Sequence, residues 1–458
     1  MKKTKIVCTI GPASLQTETL ENMIRAGMNC ARINTAYGDF NRYRLVVDNV
    51  REVADIPIMV DLKGPEIRIK TDKEQIVQKD EVLDIGFNDQ NMTFNHDFLE
   101  QMNVGDLVYI DNGRIKTEVV EKTNKSLRLL VKIGGVIDDG KGVNIPNKRL
   151  LVPTLSRRDR KIIEFATEHG IEYLALSFTR NAEDIANLRS AAEGFKGAAI
   201  AKIENLEGIK DFEEILKASE GIMVARGDLG VEIEPEHVPL VQKSLIRRCN
   251  QAGKVVVTAT EMLESMMHQP TPTRAEVSDV ANAILDGTDA TMLSGETAVG
   301  EYPVESVTMM ARIALEAEKA VKSSVKDRGF VNISDTVSKS IQRICQNMPL
   351  DKIVTLTRSG YTAKLIVRFK VPQQIIAVTL DKTVKKQLEL VYGVYPVYHD
   401  YRREKDRILT VATILHDMKL LDDEDTVLFT AAFRTKKKHA SNLIEIHQIK
   451  ELLDLTKQ

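Results

Sequence analysis

Eight short apolar runs, each followed by a stretch with helical spacing, fill most of the first 325 residues and restrict the fold more than any other feature. The runs lie at residues 5–10, 30–34, 56–62, 173–178, 198–203, 222–225, 255–259 and 290–293. Helical segments follow at 17–26, 40–54, 157–169, 182–195, 208–219, 240–252, 278–285 and 304–321. Alternation of this kind predicts parallel strands joined by right-handed crossovers. Eight such units, built from about 250 residues, predict a (β/α)8 TIM barrel formed by residues 1–69 and 143–325.

The series breaks off after Lys63-Gly64-Pro65-Glu66-Ile67-Arg68 and resumes after Asn144-Ile145-Pro146. Between them, β-like runs at 81–86, 106–110, 116–121 and 127–131 are separated in part by turn sequences, Asp111-Asn112-Gly113 and Thr123-Asn124-Lys125. A small all-β, barrel-like domain is expected over residues 70–142, inserted after the third barrel strand. An insert at that point stands over the C-terminal mouth of the barrel, where it can act as a lid that excludes water. Past residue 325 the rhythm restarts, with strands at 353–357, 375–379, 395–398, 426–430 and 443–446 and helices at 362–369, 383–391 and 405–418. This predicts a C-terminal three-layer α/β domain over 326–458. Lys436-Lys437-Lys438 reads as a solvated turn.

Composition narrows the function. A net charge of −2 offers no surface for a polyanion, so no nucleic-acid partner is expected. No apolar window reaches the roughly 18 residues of a membrane span, and the apolar run near the N-terminus is too short for a signal sequence. Cys8, Cys30, Cys249 and Cys345 show neither CxxC pairing nor metal spacing and read as reduced, buried thiols. A cytoplasmic protein without a membrane partner is the expectation.

Placed on the barrel, the polar residues converge. The second strand ends in Arg32 and Asn34, the third in Asp61 and Lys63, and the fifth in Lys202 and Glu204. The sixth ends in Arg226 and Asp228, the seventh in Thr260, and the eighth in Ser294 and Glu296. All fall on the C-terminal face. Glu204 and Asp228, on adjacent strands, can supply part of an octahedral Mg²⁺ shell and leave positions for substrate oxygens. Lysine and arginine beside a metal suit a phosphoryl group with delocalised charge. No histidine lies on these strand ends and no cysteine pairs with one, which argues against zinc and thiol chemistry. There is no GxxxxGK[ST] loop, so a nucleotide would need another architecture. Gly227 lets backbone N–H groups approach an anion closely. These residues predict Mg²⁺-dependent handling of a small phosphorylated or carboxylated substrate, without naming it.

Eight stretches, in order, carry a closer likeness: TKIVCTIGPAS at 4–14, KGPEIR at 63–68, KGVNIP at 141–146, KIEN at 202–205, MVARGDLGVE at 223–232, ATEMLESM at 259–266, PTRAEVSDVAN at 272–282 and MLSGETA at 292–298. Through them the chain resembles the pyruvate kinase family along nearly its whole length. The resemblance implies a glycolytic enzyme that passes the phosphoryl group of phosphoenolpyruvate to ADP, giving pyruvate and ATP, with Mg²⁺ or Mn²⁺. It implies Glu204 and Asp228 as the metal ligands, and Lys202 as the group that stabilises the transferring phosphoryl and the developing enolate. Arg32 would hold the substrate phosphate, and the backbone at Gly227 and Asp228 the substrate carboxylate. Thr260, with Ser294 and water, would stand near the face where the enolate takes its proton. Arg68 and Lys141, with Asn34, would meet the nucleotide, and the assembly would be a homotetramer. This division leaves Arg226 a structural role.

Departures from the family pattern carry their own expectations. The family's R-x-N-F-S-H-G reads Arg32-Ile33-Asn34-Thr35-Ala36-Tyr37-Gly38 here. Ala36 cannot coordinate a monovalent cation as serine does, although Asn34, Asp61 and the carbonyl of Leu62 remain for K⁺. Glu66 follows the K⁺-dependent pattern, while Leu62 and Ile69 follow the K⁺-independent one; weak or absent K⁺ activation is expected. Tyr37 and Glu261 leave nucleotide preference open. In the C-terminal domain, Thr355, Thr357, Arg358, Ser359 and Thr362 surround a strand-to-helix turn suited to a phosphorylated effector. An ordinary helix cap is the competing reading. Residues 430–442 lack the family's Gly-rich effector loop, which argues against fructose 1,6-bisphosphate control. Two other readings stay open: a Mg²⁺-dependent lyase or aldolase acting on a pyruvate enolate, and a metabolite sensor that has lost catalysis.

Overall fold

The computed structural model describes residues 2–87, 91–146, 148, 150–323, 325, 331–402, 404–432 and 441–455. Eight parallel strands close into a barrel: β1 (Lys5–Thr9), β2 (Cys30–Asn34), β3 (Ile58–Leu62), β4 (Tyr173–Leu176), β5 (Ala198–Ile203), β6 (Gly221–Ala225), β7 (Val255–Ala259) and β8 (Ala290–Leu293). Nearly every residue on these strands is buried, as expected where helices cover the outside and side chains fill the inside.

The helices depart from the sequence reading in instructive places. The segment expected at 208–219 breaks at Asp211 into Leu206–Lys210 and Phe212–Ala218. The helix expected from residue 278 begins four residues earlier, as Arg274–Leu285, because Thr273 and Glu276 form a reciprocal capping box. The closing helix is Pro303–Ala317, continued by a 3-10 turn at Glu318–Ala320. Short helices at Arg226–Glu232 and Gly295–Ala298, and a longer one at Ile333–Asn347, were not foreseen.

The insert is a second closed barrel of seven strands: Ile67–Thr71, Val82–Gly86, Met92–Phe94, Leu107–Ile110, Ile115–Lys122, Ser126–Ile133 and Gly142–Asn144. Its core holds Ile69, Ile85, Val108 and Leu129, with Phe87, Phe94 and Phe98 in mutual ring contact at 5.0–5.2 Å. This core also takes in Ile67, Val143, Leu150 and Val152, so the packed unit extends beyond residues 70–142 at both ends. Alternation explains why: Ile67 and Ile69 point inward while Arg68 and Lys70 do not, and the first strand reads as polar in the sequence.

In the C-terminal domain, Val394–Tyr398, Gln374–Thr379, Lys352–Thr357 and Thr426–Ala431 form a parallel sheet in that order. Leu443–Gln448 adds an antiparallel edge. Helices carrying Ile341, Ala363 and Ile366 pack on one face, and those carrying Val411, Leu415 and Leu452 on the other. The solvated turn expected at 436–438, and most of the segment expected to lack an effector loop, lie outside the described residues.

Hydrophobic packing fixes which end of the barrel is open. The barrel interior (Val7, Met59, Ala175, Ile200, Val257) is one continuous core with Ile353, Ile366, Leu390 and Tyr392 of the C-terminal domain. Lys5, the first residue of β1, donates to the Val394 carbonyl at 2.8 Å across that junction. The N-terminal mouth is therefore plugged, and only the C-terminal mouth, under the insert, is left for chemistry.

Candidate active site

At that C-terminal mouth a cavity of about 150 Å³ is lined by Arg32, Asn34, Ala36, Asp61, Leu62, Lys63, Glu66, Arg68, Ser177, Phe178, Lys202, Glu204, Asp228 and Thr260, over Met223 and Met292. Side chains from six barrel strand ends thus meet residues of the lid's first strand. A neighbouring cavity of about 290 Å³, between lid and barrel, shares Glu66 and Phe178 with it.

A chain of buried charge crosses the first cavity. Arg32 pairs with Asp61, Nε to Oδ2 at 2.8 Å and Nη2 to the same oxygen at 2.6 Å, and its Nη1 donates to Thr9 Oγ1 at 2.8 Å. Asp61 Oδ1 meets Lys202 Nζ at 3.2 Å, and Lys202 also reaches Glu204 Oε1 at 2.9 Å and Ser177 Oγ at 2.6 Å. Glu204 Oε2 accepts from the Phe178 N–H at 2.6 Å. Geometry alone brings these groups together: β3 pairs with both β2 and β4, and β5 with β4 and β6.

The electrostatics sort the carboxylates into two kinds. Burial alone would raise Asp61, but Lys202 and Arg32 together hold it below its ordinary range. Glu204 is different: burial pushes it up to about 7 despite Lys202, with Asp228 adding repulsion. Asp228 is also raised, by burial first, against the pull of Lys202 and with Glu66 and Asp61 reinforcing. None of the described residues donates a hydrogen bond to the Asp228 carboxylate. Lys202 lies above its ordinary value because Asp61 and Glu204 outweigh its burial. Asp61 is thus neutralised by the protein, while Glu204 and Asp228 are under-compensated. Two buried carboxylates short of positive charge fit a divalent cation that takes its other ligands from substrate and water. No cluster of three or more His, Cys, Asp or Glu side chains suited to a metal occurs among the described residues.

Other expected residues sit less simply. Thr260 lines the cavity, but its Oγ1 accepts from the Gly227 N–H at 2.7 Å and donates to the Ala259 carbonyl at 2.6 Å. Gly227 N–H is therefore occupied by Thr260. Thr260 and Glu261 both lie at positive φ, 70° and 52°, which non-glycine residues avoid. Arg226 holds that corner, donating to the carbonyls of Thr260 at 2.6 Å and Glu261 at 3.0 Å while pairing with Asp279 at 2.6 Å. Ser294 does not line the cavity; its Oγ is buried with no hydrogen-bond partner among the described residues, and its N–H donates to Glu296 at 2.8 Å.

Arg68 lines the cavity in a two-pronged pair with Glu66, at 2.8 and 2.7 Å, and also contacts the Gly140 carbonyl. Lys141 stands outside the cavity wall, paired with Asp111 of the lid at 3.1 Å. Asn34 Oδ1 accepts from the Ala36 N–H at 3.1 Å, and the Leu62 carbonyl accepts from the Ser177 N–H at 3.2 Å. In the C-terminal domain, Thr357 Oγ1 accepts from the Gly360 N–H at 3.0 Å, Thr362 meets Ser441, and Arg358 is exposed. Thr355 Oγ1 is buried with no hydrogen-bond partner among the described residues.

Sequence reasoning missed Thr9, Ser177 and Phe178. The first two stand at the C-terminal ends of β1 and β4, the two strands for which no polar end was assigned. Applying the strand-end rule to all eight strands would have found them. Gly64 makes the arrangement possible: a Cβ there would lie 2.3 Å from the Ser177 carbonyl, and its φ is 62°.

The family model described as pyruvate kinase, barrel domain, matches residues 1–307, and that described as pyruvate kinase, alpha/beta domain, matches 335–447. A pyruvate kinase of Sporosarcina psychrophila is 41% identical over 99% of this chain and 81% of its own length. One from Geobacillus stearothermophilus is 40% identical with the same coverage. The crystal structure of a pyruvate kinase from Cryptosporidium parvum superposes with a TM-score of 0.89 at 33% identity, covering 98% of this chain and 96% of that one.

Proposed function

The chain belongs to the pyruvate kinase family, and from that premise we propose how its residues share the transfer of a phosphoryl group from phosphoenolpyruvate to ADP. It is a phosphotransferase of glycolysis. The observation that carries the residue assignment is the contrast within one cavity: Asp61 satisfied by Arg32 and Lys202, Glu204 and Asp228 left short of positive charge.

Glu204 and Asp228 would hold Mg²⁺, or Mn²⁺ in its place. That ion, when bound, supplies positive charge to the substrate oxygens without proton transfer. Lys202, kept protonated by its carboxylate neighbours, offsets charge on the moving phosphoryl group and on the enolate left behind. Arg32, fixed by Asp61 and Thr9, has N–H groups to spare for the substrate phosphate. The Gly227–Asp228 backbone would receive the substrate carboxylate, with Thr260 exchanging its hydrogen bond to release the Gly227 N–H. Thr260 borders the space in which the enolate is protonated, and Ser294, set back from the cavity, would act only through water. Arg68 and Lys141 would pass from Glu66 and Asp111 to the nucleotide phosphates, with Asn34 beside them.

Weak or absent K⁺ activation is the reading for the monovalent site. The oxygens offered by Asn34, Asp61 and Leu62 already accept internal hydrogen bonds, and Ala36 offers no oxygen from its side chain. A phosphorylated effector at the Thr355–Thr362 turn, a homotetrameric assembly and a cytoplasmic location complete the proposal. For location, the support is membership of a family of glycolytic enzymes. Incubation with phosphoenolpyruvate, ADP and Mg²⁺ should yield equal amounts of ATP and pyruvate. Pyruvate-enolate chemistry without ATP would overturn the assignment in favour of a lyase, and no turnover in favour of a sensor.

A further inference from the structure

We propose that Ser177 is a positioning residue for phosphoryl transfer, fixing the direction of the Lys202 ammonium without cancelling its charge. The inference rests on the assignment of Lys202 above and goes beyond it, since Ser177 belongs to none of the groups that would touch substrate.

An ammonium has three N–H donors. Those of Lys202 meet three acceptors: Asp61 Oδ1 at 3.2 Å, Glu204 Oε1 at 2.9 Å and Ser177 Oγ at 2.6 Å. The two carboxylates attract the lysine, but each also subtracts from the field it can offer an anion. Ser177 is the neutral member of the set and makes the shortest contact. A hydroxyl can lock the torsions of a four-carbon stem while leaving its charge available. Its own proton is committed as well: Ser177 Oγ donates to Asp61 Oδ1 at 3.2 Å, which turns its lone pairs toward Lys202. The hydroxyl therefore has a single consistent direction, from Lys202 through Ser177 to Asp61.

The backbone at this point is strained in a way that serves the same pair of residues. Phe178 has φ 51°, a conformation costly for an aromatic residue. In that conformation its N–H reaches Glu204 Oε2 at 2.6 Å. Two consecutive residues at the end of β4 thus fasten both charged side chains of the Lys202-Ile203-Glu204 strand end, Ser177 the lysine and Phe178 the glutamate. Ser177 is also held in place: it is buried, its N–H donates to the Leu62 carbonyl at 3.2 Å, and Gly64 packs on its carbonyl.

The test is a mutant cycle of Ser177→Ala and Lys202→Met, measured by steady-state ATP formation and by thermal unfolding. Ser177→Ala should lower kcat by about ten- to a hundredfold, the range for a lost hydrogen bond to a charged group, with KM for phosphoenolpyruvate changed less than about twofold. Ser177→Thr, which keeps the hydroxyl, should recover most of the loss. In the Lys202→Met background, Ser177→Ala should cost less than about twofold, because its effect runs through the lysine. A kcat within about twofold of the parent for Ser177→Ala, or an equal loss in both backgrounds, overturns the proposal. If Lys202→Met itself turns over normally, the assignment of Lys202 fails, and that outcome is separate from the first.

Discussion

Replacing Glu204 by glutamine should stabilise the metal-free protein at alkaline pH while abolishing its metal-dependent activity. The carboxyl sits at about 7 in the fold against an ordinary 4.5, so the native state binds this proton more tightly than the unfolded chain does. The sign follows: folding is favoured below the unfolded value, and the advantage is lost as pH climbs through about 7. A shift of that size is worth roughly 3 kcal/mol by pH 8 and less than about 1 kcal/mol at pH 5. Glutamine keeps the shape and can still accept from Phe178, yet carries no charge to bury. Paired calorimetric scans in EDTA should show parent and variant unfolding together at pH 5. At pH 8 the variant should unfold roughly 3–6 °C higher. Adding Mg²⁺ should raise the parent's midpoint at pH 8 and leave the variant's in place. A variant less stable than the parent at pH 8 would refute the reasoning, since Glu204 would then be held by its lysine rather than held in reserve for a cation.

Three further outcomes are expected. Adding K⁺ to a sodium-free assay containing Mg²⁺ should change the rate by less than about twofold; a large activation would mean that Asn34, Asp61 and Leu62 release their internal hydrogen bonds to a cation. Arg226→Lys should cut kcat on the order of tenfold, because an ammonium cannot span Thr260, Glu261 and Asp279 as the guanidinium does; unchanged kinetics would show that the positive-φ corner holds itself. Asn144→Ala removes the donor at 2.9 Å from the half-buried Glu232, which joins lid to barrel. It should cost about 1–2 kcal/mol of stability at neutral pH and raise KM for ADP more than for phosphoenolpyruvate, as read from urea unfolding and initial rates.

The barrel was legible because its signal repeats: eight buried runs at regular intervals leave few topologies open, and the polar residues at their ends then share a face. What escaped the sequence was local. The helix at Arg226–Glu232 opens with Arg-Gly-Asp and carries a second glycine, so propensity argues against it; it forms because β6 delivers the chain to a packed corner that Arg226 ties to its neighbours. The helix at Gly295–Ala298 is hidden in the same way. By contrast, Thr273 with Glu276 was a readable capping signal, passed over for apolar spacing.

Ser177 and Thr9 show a deeper limit. A serine or threonine at the end of an apolar run is unremarkable in one dimension, since hydroxyls end strands everywhere. Their meaning depends on which strand lies beside them. β4 borders both β3 and β5, so a hydroxyl at its end can touch Asp61 and Lys202 at once. Charged residues advertise a site because burying them is costly and must be explained. Neutral ones that aim those charges cost little to bury and give no such warning, so they become visible only when the barrel closes. The same asymmetry separates Asp61 from Asp228. Both are aspartates at strand ends in a shared cavity, yet Asp61 is matched by two cations and Asp228 by no hydrogen-bond donor among the described residues. Sequence can identify the carboxylates; only their neighbours decide which one is braced by cations and which one is left short of positive charge.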